Sequence, residues 1–592
     1  MQKNKFIRRF FLLSLIYILL DFLFSPGCKS VDTDRNYKAD PNALFTVLNA
    51  QQTGISFAND VVYTEELNVY TFRNFYNGGG VGIGDINNDG LPDIFFCGNQ
   101  QSNKLYLNKG DFKFEDITET AGLATGDVWS TGVTFVDING DGLLDIYVCK
   151  SGDIKSKQRD NSLYINNGNN TFTERAKEYR LDYRGLSTHA VFFDFDKDGD
   201  LDCYLLNNSF KSVGNFDLVK DQRNIPDSLG GNKLLRNDGG VFADVTIAAG
   251  IYTSNIGFGL GVTVSDLNSD GWQDIYVSND FFEKDYLYLN KKDGTFSEVL
   301  EEGITELSMN SMGADIADIN NDAKPDIYVT DMLPEPEERM KTKTNFEDWD
   351  KYQSNIKNGY YKQFVRNALQ LNRGNRPQVD SIDMPFYSEI GRYSKVHATD
   401  WSWGALITDF DNNGFKDIFV ANGIFKDLTD QDYIQYTANP NAISEILKKE
   451  KEGIRKLIDL MPSNPVPNYA FSNNGDLTFT DRSKEWGLGT AGFSNGSAYG
   501  DLDNDGDLDL VVNNVNMPAF VYRNRSRELK PENSYVKVEL KGEGKNRFGI
   551  GARVWVHYGG TLSYQEQMPM RGFESTVDSR LNFGLGKTQQ ID

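Results

Sequence analysis

Seven times along this chain one nine-residue pattern returns: Asp, any, Asp or Asn, any, Asp or Asn, Gly, any, any, Asp, with Ala in place of Gly once. The first three copies supply Asp85, Asn87, Asp89 and Asp93; Asp137, Asn139, Asp141 and Asp145; and Asp194, Asp196, Asp198 and Asp202. The fourth and fifth supply Asp266, Asn268, Asp270 and Asp274, then Asp318, Asn320, Asp322 and Asp326. The last two supply Asp409, Asp411, Asn413 and Asp417, then Asp501, Asp503, Asp505 and Asp509. Oxygen ligands at alternate positions, with a Gly that lets the chain turn between them, wrap a hard cation such as Ca²⁺, and position seven lends only a backbone carbonyl. Ordinary acidic turns would not repeat this spacing seven times, so the expectation is up to seven structural Ca²⁺ ions. Loops three and seven carry the most carboxylates, whereas Ala323 in loop five and Asn413 in loop six mark those two as the weakest.

The charge of the whole chain follows from these loops. Lys plus Arg is 61 and Asp plus Glu is 85, a net charge of -24, and the seven windows alone hold 25 Asp against three Lys. There is no basic stripe to follow a phosphate backbone, so nucleic acid is not expected as a partner. Cys97, Cys149 and Cys203 are scattered and read as buried free thiols rather than a disulfide framework. Gly492-Phe-Ser494-Asn-Gly496 satisfies a nucleophile-elbow pattern, but Ser130, Ser187, Ser311 and Ser402 hold the same place in other copies, which makes the serine a repeat feature. With three His in the chain and no zinc spacing or phosphate loop, no catalytic residue is assigned. His189 and His397 read as structural.

The elements that hold the loops recur with them. Gly stands five residues ahead of the first Asp at Gly80, Gly132, Gly261, Gly313, Gly404 and Gly496, with His189 the exception. A β-branched and aromatic strand follows each loop, then a strand ending in Asn, then one beginning with Phe. Four short strands in each of seven units indicate an all-β, seven-bladed β-propeller. The seventh unit lacks its fourth strand, and Phe45-Thr-Val-Leu near the N-terminus copies that pattern, so the chain start is expected to complete the last blade. The propeller is placed at 43–530, with helical and loop insertions at about 331–366 and 424–467. The second insertion contains an amphipathic pattern from Asn439 to Met461.

Residues 1–28 run from Lys3, Lys5, Arg8 and Arg9 through apolar Phe10–Leu20 to Ser25-Pro26-Gly27-Cys28. The order of charge, apolar core and small residues is that of a secretory signal. The Gly-Cys ending resembles a bacterial lipobox, which implies lipidation of Cys28, with a linker at 29–42.

Gly80-Val-Gly-Ile-Gly-Asp-Ile-Asn-Asn-Asp-Gly-Leu-Pro-Asp93 resembles the FG-GAP or VCBS repeats of integrin α-chain propellers, whose loops bind calcium. Residues 534–586, with Asn546-Arg-Phe-Gly549-Ile-Gly551-Ala552-Arg553 and Phe583-Gly584-Leu585-Gly586, are similar to the ASPIC/UnbV domain of cartilage acidic protein relatives. That match breaks off at Asp592, so 531–592 is expected to be a partial small β domain of a longer protein. Gly549-Ile-Gly551 lies in no βαβ unit and reads as a β-turn. The resemblance implies a calcium-binding lipoprotein of the bacterial outer membrane, on its surface or periplasmic face. Such a protein would act as a binding or adhesion module toward a surface protein or glycan. A carbohydrate-active lyase or hydrolase and a structural subunit of an envelope complex are the alternatives. Acids and aromatics converging in an open central funnel would favour the enzyme, and a filled funnel would count against it.

Overall fold

The computed structural model describes residues 40–592, apart from 154, 157, 212–220, 345–348, 380–381, 441–442, 445 and 447–452. Seven antiparallel sheets stand around one axis. Their inner strands are Val81–Gly84, Val128–Val136, Ser187–Phe193, Gly259–Ser265, Ala314–Ala317, Ser402–Thr408 and Ser494–Gly500. Each inner strand neighbours the next, and the last returns to the first, which closes the ring. The sheet of the seventh blade takes its outer strand from the chain start. Phe45–Leu48 pairs antiparallel with Phe520–Asn524, Phe45 opposite Asn524 and Leu48 opposite Val521. Phe45 is 2% exposed and meets the rings of Phe410 at 5.6 Å and Trp486 at 6.4 Å. Burying that side chain alone contributes about 2–3 kcal/mol to closure.

Glycine near the axis has a steric cause. A Cβ on Gly313 would lie 2.6 Å from the Trp403 carbonyl oxygen, and one on Gly496 would lie 2.5 Å from the Gly79 carbonyl oxygen and 2.7 Å from the Gly80 Cα. Seven inner strands can approach this closely only where side chains are missing. His189 is the exception anticipated from the sequence; its ring fills the space beside Gly132, where a Cβ would meet its Nδ1 at 2.6 Å. The imidazole is buried with neither nitrogen hydrogen-bonded, and burial holds its pKa down to about 3, so it is a neutral packing group. Cys97, Cys149 and Cys203 are buried free thiols.

The first insertion carries helices Glu337–Lys343 and Trp349–Lys357 and ends in Gln363–Phe364, which pairs parallel with Leu307–Ser308. In the second, Asp430 caps helix Gln431–Thr437 by accepting the Tyr433 N–H at 2.8 Å. Helix Gly453–Asp459 and the turn after it bury Leu457, Ile458 and Met461. The rest of the expected amphipathic run falls partly outside the described residues. In blade five the fourth strand starts at Ile382 rather than at a Phe, because its hairpin with Ala368–Val379 is extended.

The C-terminal residues form two hairpin-like pairs, Ser534–Val538 with Leu581–Gly586 and Arg553–Tyr558 with Thr561–Glu566. Between them Met570–Arg571 and Ser575–Thr576 make a short hairpin that enters the axial channel. Thr576 pairs with Gly82 of blade one, the Glu574 carbonyl accepts the Val133 N–H of blade two at 3.0 Å, and Gly572 bridges to Ala314 of blade five. Arg571, itself buried, forks onto Asp315 at 2.8 and 3.1 Å. Phe573 is fully buried against Trp403, 5.3 Å between ring centres.

Gly496→Ala should therefore be destabilising by about 1–3 kcal/mol in denaturant unfolding, since the new methyl overlaps backbone that cannot retreat. Gly489→Ala, where the nearest atom to a new Cβ is 3.6 Å away, should be close to neutral. Equal effects would show that the inner strands have room to spare.

Candidate metal centres and the face that covers them

Each acidic loop joins the inner strand of its blade to the second strand, so all seven lie on one face of the ring. Position four of every loop has a left-handed backbone: Asn88, Gly140, Lys197, Ser269, Asn321, Asn412 and Asn504. So does position six, which is Gly except at Ala323, φ +60°. A Cβ is strained in that region, and at position six loop five alone carries this strain.

The position-one carboxylate is oriented by backbone N–H groups of its own loop. In loop one, Asp85 accepts the N–H of Asp89 at 3.1 Å and of Gly90 at 2.7 Å. The position-nine Asp is buried in every copy. One of its oxygens takes the N–H of position two, and the other takes the N–H of the Asn that closes the third strand. In blade one these bonds are Ile86 to Asp93 at 3.0 Å and Asn108 to Asp93 at 2.8 Å. The same pair of bonds recurs at Asp145, Asp202, Asp274, Asp326, Asp417 and Asp509. Each carboxylate oxygen has a second acceptor site, which leaves room for a cation.

The carboxylates of Asp194, Asp196 and Asp202, of Asp409, Asp411 and Asp417, and of Asp501, Asp503 and Asp509 converge, with one oxygen from each residue within 4.8 Å of the others. Loop six, expected to be weak because of Asn413, thus joins loops three and seven, since Asp411 at position three supplies the third acid. Loops one, two, four and five have Asn at position three. Asn87, Asn139 and Asn268 bond the Asp two residues on, at 2.9–3.0 Å, so these amides also face the loop interior. Burial pushes the Asp145 carboxyl up to about 7 and those of Asp93 and Asp202 to about 8, against the pull of the N–H bonds. Asp274, Asp326, Asp417 and Asp509 are raised well above the carboxylate range for the same reason. Such a set of oxygens suits a hard divalent cation, which would supply the charge that burial opposes. Cys28 lies outside the described residues.

The C-terminal segment lies over this face. The Arg580 guanidinium donates to the Gly90 carbonyl at 3.3 Å and Arg547 to the Gly140 carbonyl at 3.2 Å. Gly549-Ile-Gly551 is a turn, closed by the Ala552 N–H on the Gly549 carbonyl at 2.9 Å, and Gly551 sits against Gln273 of loop four. The repeat serines are tied into the blades: Ser187 bonds Asn207 and Ser494 bonds Asn514, both at 2.8 Å. Ser494 thus has the partner of its counterpart in blade three and is no nucleophile elbow.

The FG-GAP-like repeat family matches residues 85–148, 154–205, 266–329 and 457–512, and the ASPIC and UnbV family matches residues 542–592. The propeller thus carries FG-GAP-like repeats and is followed by a segment that matches ASPIC and UnbV. Human cartilage acidic protein 1 is 25% identical over 487 residues, 77% of this chain and 58% of that protein. The Xenopus tropicalis cartilage acidic protein 1 is 25% identical over 249 residues, 41% of this chain and 35% of that protein. The chain therefore spans less than two thirds of these relatives. An Agrocybe aegerita lectin, solved in a study of its recognition of non-reducing terminal N-acetylglucosamine, aligns over 73% of this chain and 88% of its own with 15% identity and a TM-score of 0.38.

Within the FG-GAP repeats two features escaped the sequence reading. The first is the Asn that ends each third strand. Its side-chain amide donates to position eight of its own loop and, in six blades, to the position-two carbonyl of the preceding blade. Asn524, for example, reaches the Phe410 carbonyl at 2.8 Å and the Leu508 carbonyl at 2.9 Å. The second is position four, where Asn321, Asn412, Asn504 and Asn88 donate to Gly414, Gly506, Gly90 and Gly142 of the next loop. Both were present as repeated Asn. Asn524→Ala should cost about 2–4 kcal/mol in unfolding free energy, because two buried carbonyls lose their donor. Asn237→Ala should cost less: Asn237 bonds only the Leu201 carbonyl among these acceptors. The reverse order would show that the contacts between blades do not carry the stability.

Proposed function

We propose that this chain is a calcium-stabilised binding module of the bacterial cell envelope, held to a membrane by lipid at Cys28 and recognising a protein or glycan through its outer surfaces. The filled axial channel carries this reading. The hairpin 570–576 occupies the axis, and at the other mouth Phe573 belongs to one buried cluster with Phe72, Phe75, Tyr76, Trp129 and Trp403. Among the described residues, a ring filled in this way leaves no axial funnel for a substrate, which favours binding over catalysis. The rim, by contrast, is open: Trp349 is 70% exposed and stacks on Tyr352 at 5.7 Å. The basic and apolar order of residues 1–28 supports export and anchoring.

Bound Ca²⁺ would join positions one, three, five and nine with the position-seven carbonyl, fixing the turn between inner and second strands. Saturating calcium should raise the melting temperature by several degrees or more, since each occupied site at a hundredfold excess over its Kd contributes roughly 2.7 kcal/mol, and chelator should reverse it. Affinity should tighten as pH rises from 6 to 8, because Asp145 and Asp93, raised to about 7 and about 8, must ionise to accept the cation. Melting indifferent to calcium and chelator would remove the metal from this reading. A glycan array with and without calcium tests the ligand class; glycan turnover would transfer the reading to an enzyme.

The anchor is tested separately. Cys28→Ser should release the protein from membranes or leave the precursor unprocessed, while the wild type resists high-salt washing. Each buried methylene of an acyl chain contributes about 0.8 kcal/mol, and that term is insensitive to salt. A mature N-terminus other than a modified Cys28 would overturn the lipoprotein assignment alone.

A further inference from the structure

Three cations of the C-terminal segment meet acids of the metal pattern itself. Lys537 pairs with Asp501, position one of loop seven; Arg553 with Asp266, position one of loop four; and Lys530 with Asp411, position three of loop six. The acid side chains are only 1–3% exposed, so these are charge-assisted bonds shielded from water on the acid side, unlike ordinary surface pairs. Loop seven shows the consequence most directly. One oxygen of Asp501 takes the Gly506 N–H and the Lys537 ammonium, while the other is buried with no hydrogen-bond partner. Since the Asp501 carboxylate converges with those of Asp503 and Asp509, the unpartnered oxygen is a ligand atom left unsatisfied by protein donors.

We propose that Lys537, Arg553 and Lys530 are built-in counter-ions that compete with divalent cations for loops seven, four and six. Docking of the C-terminal segment then sets the cation affinity of those loops, and cation entry loosens its grip. This rests on the calcium reading above. A dication brought onto a carboxylate that already holds an ammonium meets a like charge within a few ångströms, in surroundings that screen poorly. The other loops provide internal contrast. Over loops one and two the segment contacts peptide carbonyls through Arg580 and Arg547 rather than carboxylates. Lys545 pairs at 2.6 Å with Asp200, at position seven of loop three, where the side chain is not a ligand.

The ring of Tyr535 lies against Gly506, so terbium bound in loop seven should be excited through it, and calcium can be titrated against that luminescence on the whole chain. Lys537→Gln should lower the half-saturating calcium concentration about tenfold, a difference that narrows at high salt. Lys545→Gln and Lys541→Gln should match the wild type. Arg553→Gln, read by calorimetric calcium titration, gives a second case should Lys537→Gln fold poorly. Variants that bind like the wild type, or more weakly, would overturn the proposal, the latter because Lys537 would then hold the loop in its binding shape. A wild type that takes up neither terbium nor calcium would overturn the calcium reading and this one with it.

Discussion

The ring depends on a buried carboxylate in each blade. Taken alone, a position-nine Asp in apolar surroundings is unfavourable, since desolvation opposes its charge. Here each oxygen receives a backbone N–H, one from its own loop and one from the end of the third strand, so a single side chain fixes the loop to the sheet. The Asn supplying the second N–H then uses its amide to reach the preceding blade. Loop shape, sheet register and the joint between blades are consequently one hydrogen-bonded unit. A cation would enter a scaffold already ordered by protein donors.

The axis obeys a different constraint, that of volume. Glycine on the inner strands lets seven sheets meet, and a hairpin from the far end of the chain fills the channel that remains. Arg571 is one of the polar residues of that filling, with Glu574, Ser575 and Thr576, and it tolerates burial because Asp315 satisfies its fork and the Ile316 carbonyl accepts a further N–H at 2.8 Å.

The face covered by the C-terminal segment brings the chain's charge asymmetry into one place. A protein of net charge -24 places 25 Asp against three Lys in loops on one side of the ring, and its C-terminal segment returns Lys and Arg to them. Mutual repulsion among the loops would oppose the compact ring. The segment relieves it at chosen loops and leaves the carboxylates of loops one and two untouched.

Much of this was determined by the sequence alone, for reasons of period and chemistry. The nine-residue spacing and four short strands per unit gave the seven blades, and the displaced Phe45 strand gave the closure, because each is a local pattern that repetition makes unmistakable. The Ser reading came from comparing equivalent positions, the Cys reading from scattered placement, and the Gly549-Ile-Gly551 reading from the lack of a surrounding βαβ unit. Tertiary structure alone decided what those positions touch. The Asn ending each third strand was visible, but its partner lies in another blade hundreds of residues away in the case of Asn108 and Leu502. That the three acids of loop six converge is a matter of distance, which the pattern by itself does not give. The hairpin in the channel and the cations over the loops left no periodic trace, since each arises from one stretch of chain meeting a surface assembled from all seven repeats.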